Sequence, residues 1–111
     1  MSNDNVRNMR IFRQYFDLIK SGRKTIEVRV GYPSMRSIKK GMRIRFNNDY
    51  QCECLVTRVT EYSSFAEMMS KEDHRKINPD ASAEQQLTEI RRIFPKEKEA
   101  LGVIVYELQK V

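Results

Sequence analysis

Between Thr25 and Val30 the chain alternates strictly, with Ile26, Val28 and Val30 on one side and Thr25, Glu27 and Arg29 on the other. That period of two predicts a half-buried strand whose aliphatic side faces the core, so that Glu27 and Arg29 project together on the outer side. Similar runs predict strands over residues 9–13, over 42–46 with Ile44 and Phe46 inward, and over 50–60. In the last of these, Cys52, Cys54 and Val56 share one face, and Leu55 and Val59 are assigned to the other. The Asn47-Asn48-Asp49 run before it predicts a hairpin turn, because Asn and Asp tolerate positive φ. From Gly102 to Leu108 the near-continuous Val103-Ile104-Val105-Tyr106 run predicts a strand covered on both faces.

Helical spacing appears between these strands. Phe16 and Ile19, three apart, predict a short helix over 15–20, and Gly22 suits the left-handed position that ends it. Ser64-Phe65-Ala66-Glu67 and Ser82-Ala83-Glu84-Gln85 both fit capping boxes. The first opens a helix through Met69, with Met68 and Met69 as packing residues. The second opens a helix with Leu87, Ile90 and Phe94 on one face, stopped by Pro95. Residues 31–37 read as a loop, 39–41 as a turn and 71–82 as a loop or broken helix. Five or six short strands with two or three inserted helices predict an α+β fold, a small mixed β-barrel. A doubly wound sheet would need a regular alternation that is absent. Residues 1–8 are polar and expected to be a flexible leader, which leaves 9–111 as a single domain.

Composition narrows the setting. No apolar run approaches the roughly 18 residues of a membrane span, and the polar start lacks the apolar centre of a signal peptide, so the cytoplasm is the expected compartment. Cys52 and Cys54, two apart on a strand, point to one face and are poorly placed to bridge; they read as reduced residues of a barrel wall. One His, in a mixed-charge run around His74, and no Cys pair at ligand spacing argue against zinc, and no cofactor is implied.

Charge is unevenly spread. Residues 1–60 carry 13 basic and 5 acidic side chains, residues 61–111 carry 8 and 10. The basic half fits an anionic partner, nucleic acid above all, or a solubilising surface. From Lys20 to Arg45 there are nine Lys or Arg residues, and Glu27 is the only acid. Lys24 and Arg29 can hold a phosphate or carbonyl oxygen, and Glu27 can accept from an exocyclic amine of a base. The alternative is a surface Glu27–Arg29 pair worth about 0–1 kcal/mol. Glu27 would raise the pKa of Lys24 while Arg23, Arg29 and burial would lower it, and residue types alone leave the sign open. Tyr62 and Ser63 could add a stacking ring and a hydroxyl, although Tyr62 fits a barrel wall equally well. Tyr32 is a second stacking candidate beside Arg36, and Arg36, Lys39 and Lys40 are placed to follow a phosphate backbone.

The order Phe16-Asp17-Leu18-Ile19-Lys20-Ser21-Gly22-Arg23-Lys24-Thr25-Ile26-Glu27-Val28-Arg29 resembles the helix and GxKxxExR motif of ASCH domains, a branch of the PUA-like barrels thought to bind RNA. Ile38 to Phe46 is similar to that family's next strand, with Met42 where Asp is common. Tyr62 to Met68 resembles its Tyr-x-Ser-Phe-x-Glu-Met element, and Ile93 to Val103 its run into the last strand. The resemblance spans roughly residues 9–108 and implies a PUA-like β-barrel with a cleft between barrel and inserted helices. It places Lys24, Glu27 and Arg29 in that cleft. One branch is a small amidohydrolase that deacetylates N(4)-acetylcytidine; it matches here at Lys24, its general base, but has Thr as nucleophile where Glu27 stands. Its later acidic residue corresponds to Glu72 or Glu89.

The leading expectation is therefore an RNA- or nucleotide-binding domain. Its basic cleft would have Lys24, Glu27 and Arg29 as floor, Arg23, Tyr62 and Ser63 beside them, and Arg36, Lys39 and Lys40 as rim. An amidohydrolase acting on a modified nucleoside, or a weak ribonuclease, is the alternative in the same cleft, with Lys24 and Glu27 catalytic. A protein-interaction module using its helices is the third.

Overall fold

The computed structural model describes residues 5–47 and 49–111. Its strands are β1 (Val6–Arg10), β2 (Ile26–Val30), β3 (Arg43–Asn47), β4 (Gln51–Tyr62) and β5 (Val103–Lys110). Between them lie α1 (Arg13–Lys20), α2 (Pro33–Arg36), α3 (Phe65–Lys71), α4 (His74–Ile77), α5 (Ala83–Ile93) and α6 (Lys96–Glu99). The fold is α+β, and its strands form one curled mixed sheet in the order β1-β3-β4-β5-β2, parallel at β1–β3 and antiparallel elsewhere. β1 and β2 are its two edges. Among the described residues no helix is long and apolar enough to cross a membrane.

Two cores lie on opposite faces of this sheet. The first joins Phe16 and Ile19 of α1 to Met9, Ile44, Phe46, Cys52, Cys54, Val56 and Tyr106. The second joins Ile26, Val28, Val30, Val103 and Val105 to Phe65, Met68 and Ile77 beneath the helices. β5 runs between β4 and β2 and serves both, which explains its unbroken apolar run. Leu87, Ile90 and Phe94 of α5 lean on the second core, as their spacing predicts. The Ser82 box is complete: its hydroxyl accepts from Gln85 N and the Gln85 side chain accepts from Ser82 N. At α3 the Ser64 hydroxyl accepts from Glu67 N, but the Glu67 carboxylate reaches one residue further back to Ser63 N.

Several expectations shift. The first strand starts at Val6, not Met9, so Val6, Arg7 and Asn8 of the expected leader pair with β3 and residues 1–4 lie outside the described residues. Asn48 also lies outside them, while the strands flanking the expected hairpin pair with Asn47 opposite Gln51. The 31–37 loop contains a turn of helix begun by Pro33, whose fixed φ and missing N–H suit a first helical position. A bulge between Val56 and Arg58 moves Val59 to the face of Val56, opposite Tyr106, rather than leaving it with Leu55. The same bulge turns Thr60 and Tyr62 toward Val105 and Val103 and the second core.

Both thiols are free and buried in the wall of the first core. Burial above all, with Cys52 beside it, pushes the Cys54 thiol up to about 12, so at neutral pH it holds almost no thiolate. A thiol reagent is expected to leave Cys54 unmodified in the folded protein and to label it promptly once urea unfolds the chain. Rapid labelling under native conditions would show that this wall opens.

Candidate functional site

The free edge of β2 borders a cleft of about 1230 Å³. One wall is the β1–α1 connection with the start of α1, from Arg10 to Tyr15; the other is α5, and Met69 and Asn78 also line the cleft. Lys24, Glu27, Val28 and Arg29 form the floor.

Lys24 reaches this floor because the chain reverses through Ser21 and Gly22. Gly22 has φ +83°, the left-handed conformation expected at the end of α1, and Lys24 N then bonds Leu18 O at 3.0 Å. The ammonium, 4% exposed, donates to Ile26 O at 2.6 Å and Ile77 O at 2.9 Å and lies 3.2 Å from Glu27 Oε1. It also sits 5.6 Å from the centre of the Tyr15 ring.

Glu27 is 7% exposed, which corrects the outer-face reading. It stands opposite Tyr106, and Arg29 opposite Ile104, so both project on the side of the first core. β2 is covered on both faces here, and the polar side of the alternation is buried too. Arg29 donates from Nε at 2.8 Å and Nη2 at 2.7 Å to Glu27 Oε2, and from Nη2 to Arg10 O at 3.0 Å. Glu27 thus joins Lys24 to Arg29, and Arg29 joins β2 to the opposite edge strand.

Burial lowers the Lys24 pKa from the ordinary lysine value and outweighs the raising influence of Glu27, which answers the sign left open by residue types. For Glu27 burial pushes upward, but Lys24 and Arg29 together overcome it and hold the carboxyl below its usual range.

The other candidates are dispersed. Arg23 is exposed and outside the cleft lining, 2.8 Å from Asp80, which does line it. Arg36 does not line the cleft: it forks onto Glu61 at 2.6 and 2.8 Å and also donates to Gly31 O and Leu101 O. Lys39 and Lys40 are exposed in the turn before β3, also outside the cleft lining. The Tyr62 hydroxyl donates to Glu72 at 2.5 Å, and Ser63 bonds Glu67. Glu72 is gripped by Arg58 at 2.8 and 2.9 Å, and these hydrogen bonds above all hold its carboxyl below the usual range. Of the two acids left open by the resemblance, Glu89 lines the cleft and Glu72 does not. Tyr32 packs on the second core under Lys98.

The lining carries Arg10, Arg13, Lys24 and Arg29 against Glu27, Asp80, Glu84 and Glu89, so its formal charges balance. The cations come from the first 29 residues and three of the acids from residues 80–89, which is why the charge of the first half alone suggested a basic cleft. Sequence reasoning missed Arg10, Phe12, Tyr15 and Gln86, all in the lining. Phe12 and Tyr15 have ring centres 6.4 Å apart, and their i, i+3 spacing across the start of α1 was the available signal.

The ASCH domain model matches residues 9–111. The chain belongs to the ASCH domain family. This ASCH domain is similar to a crystal structure of the hypothetical protein PH0355, at 31% identity and a TM-score of 0.88, over 96% of this chain and 99% of that one. It is also similar to the solution structure of protein PF0455 from Pyrococcus furiosus, at 30% identity and a TM-score of 0.78, over 96% and 97% of the two chains. A variant of ZmASCH from Zymomonas mobilis shares the fold at 17% identity, with a TM-score of 0.73, over 98% of this chain and 70% of that one. No curated protein matches the chain.

Proposed function

We propose that this ASCH domain binds a nucleoside or nucleotide unit, free or as a residue of RNA, in the cleft along β2. The observation that carries the reading is the conjunction in one cleft of the Lys24–Glu27–Arg29 floor with the Phe12 and Tyr15 rings. The rings offer stacking surface, and the buried triad gives a rigid polar floor. Arg10, exposed at the end of β1, is the cation for a phosphate. Balanced lining charge suits one nucleotide better than a threaded polyphosphate backbone, whose affinity would rest on a run of uncompensated cations.

The test is an amide-shift titration of labelled protein with cytidine, cytidine monophosphate and a short mixed-sequence RNA at two salt concentrations. Saturable shifts at Lys24, Glu27 and Arg29 are expected, with a salt slope no steeper than about one phosphate contact, near −0.7 for a single strand. Diffuse shifts that vanish at moderate salt would reject the cleft, and shifts confined to the helices with a protein ligand would favour the interaction module.

A second reading is hydrolysis of a modified nucleoside in the same cleft, favoured by Glu89 joining Lys24 and Glu27 there. Glu27 would take the proton of an attacking water. A Glu27→Gln protein that kept its full hydrolytic rate on N(4)-acetylcytidine would remove this role.

A further inference from the structure

The parity of the β2–β5 ladder leaves a main-chain site on the cleft. Thr25 O accepts from Leu108 N, and Gly31 N donates to Gly102 O, so the odd-numbered residues of this stretch direct their polar groups toward β5. The even-numbered residues Ile26, Val28 and Val30 then direct N–H and C=O to the free edge. Ile26 O accepts from Lys24 Nζ, and Val30 O accepts from Tyr32 N, both consistent with that direction. Among the described residues Val28 N–H and C=O receive no partner, yet Val28 is 7% exposed and lines the cleft.

Gln86, across the cleft on α5, adds a third unpaired group. Its side-chain N–H₂ is shared among His74 O at 2.8 Å, Asn78 O at 2.9 Å and Ala81 O at 3.0 Å, which prevents the amide from turning over. Its Oε1 is therefore held as an acceptor, and among the described residues nothing donates to it, although Gln86 is only 8% exposed. Buried polar groups of this kind are almost always paired, so three in one cleft describe the missing partner.

We infer that Val28 N–H and C=O together with Gln86 Oε1 form the specificity subsite of the cleft, reading the edge of an amine-bearing heterocyclic base. This rests on the nucleotide reading above and deepens it. The subsite offers one donor and two acceptors, so its complement carries one acceptor next to a donor, plus a second donor. Guanine meets that count with O6, N1–H and N2–H, and cytosine and adenine meet it with the ring nitrogen and both hydrogens of the adjacent exocyclic amine. Uracil and hypoxanthine, whose nucleosides carry a single ring N–H and no exocyclic amine, do not, and would leave a buried acceptor unpaired. An extended peptide residue could pair with Val28, but its main chain offers one N–H and one C=O and leaves Gln86 Oε1 without a donor.

The test compares matched nucleosides on the folded wild-type protein, cytidine against uridine and adenosine against inosine, with the Val28 amide proton followed in each titration. The amine-bearing member of each pair is expected to bind roughly 10- to 100-fold tighter and to shift the Val28 amide proton downfield. 3-Deazacytidine, which lacks the ring acceptor, should bind without that shift. Gln86→Leu should reduce the cytidine-to-uridine ratio toward one, and its melting curve verifies that it is folded. Where Gln86→Leu fails to fold, the 3-deazacytidine comparison on wild-type protein decides alone. Equal affinity within both pairs, or binding of cytidine with an unmoved Val28 amide, would overturn this inference while leaving nucleoside binding intact. No saturable shift with any nucleoside would overturn the cleft reading itself. A Val28 shift produced only by an extended peptide would overturn the base as occupant.

Discussion

Glu27→Gln is expected to lower stability by about 3–5 kcal/mol, the cost of breaking a buried ion pair from one side. The change leaves the Lys24 ammonium and the Arg29 guanidinium facing a neutral amide where Lys24 is 4% exposed, with the Ile26 and Ile77 carbonyls as the remaining acceptors of Lys24. Lys24→Met alone should cost a similar amount, because the Glu27 carboxylate keeps only Arg29. Combined with Glu27→Gln it should cost clearly less than the sum, since the double variant leaves only the partly exposed Arg29 guanidinium without its carboxylate. Urea denaturation of the four proteins gives the coupling directly, and strict additivity would mean that Lys24 and Glu27 do not depend on each other.

The same group sets an acid limb. The Glu27 pKa is held below its ordinary value of 4.5, so its contribution is fully present above the unfolded pKa and is lost as pH falls through the lower folded one. Stability of the Gln variant should therefore fall less steeply below about pH 4.5. Lys24 acts at the other end. Its folded pKa lies below the ordinary 10.5, so the unfolded chain binds the proton more tightly and stability rises with pH between the folded pKa and 10.5. Lys24→Met should flatten that rise, as thermal melts through the alkaline range would show.

Gly102→Ala should cost about 2–4 kcal/mol, from backbone strain together with overpacking. Gly102 has φ +98°, a conformation side chains rarely adopt, and a Cβ there would stand 2.8 Å from both Arg36 Nη2 and Glu61 Oε2. That guanidinium clamps three segments: the end of β2 through Gly31 O, the approach to β5 through Leu101 O, and β4 through Glu61. Nucleoside affinity of the folded fraction should be unchanged, because none of these groups lines the cleft. A denaturation midpoint within a few tenths of a kcal/mol of wild type would mean that Arg36 moves aside freely, and altered affinity would give Arg36 a part in binding.

The sequence shows its regular parts well. Alternation located β2, the doubly covered β5 was visible in its unbroken apolar run, and the Ser82 box marked the start of α5. What escaped depends on partners distant along the chain. Period two assigns the polar side of β2 to solvent, and nothing near Glu27 reveals that its face lies against a second core. Arg36 looked free for phosphate because its carboxylate, Glu61, lies 25 residues away. The cleft looked basic because its acids on and before α5 belong to a different segment. The bulge in β4 hid for another reason: one inserted residue leaves no compositional mark, and it changed the face of Val59.

That inserted residue, Thr57, acts as a phase step. Upstream of it β4 shows the first core its two cysteines; downstream the beat is reversed, so that Arg58 and Tyr62 can close on Glu72. Without the step, Arg58, Thr60 and Tyr62 would be aimed at the first core and Val59 at the ion pair's place. Losing Thr57 would therefore exchange inside for outside from Arg58 to Tyr62, a far larger change than one residue of length. One strand thus keeps time with two different interiors, and a single threonine marks the change of beat.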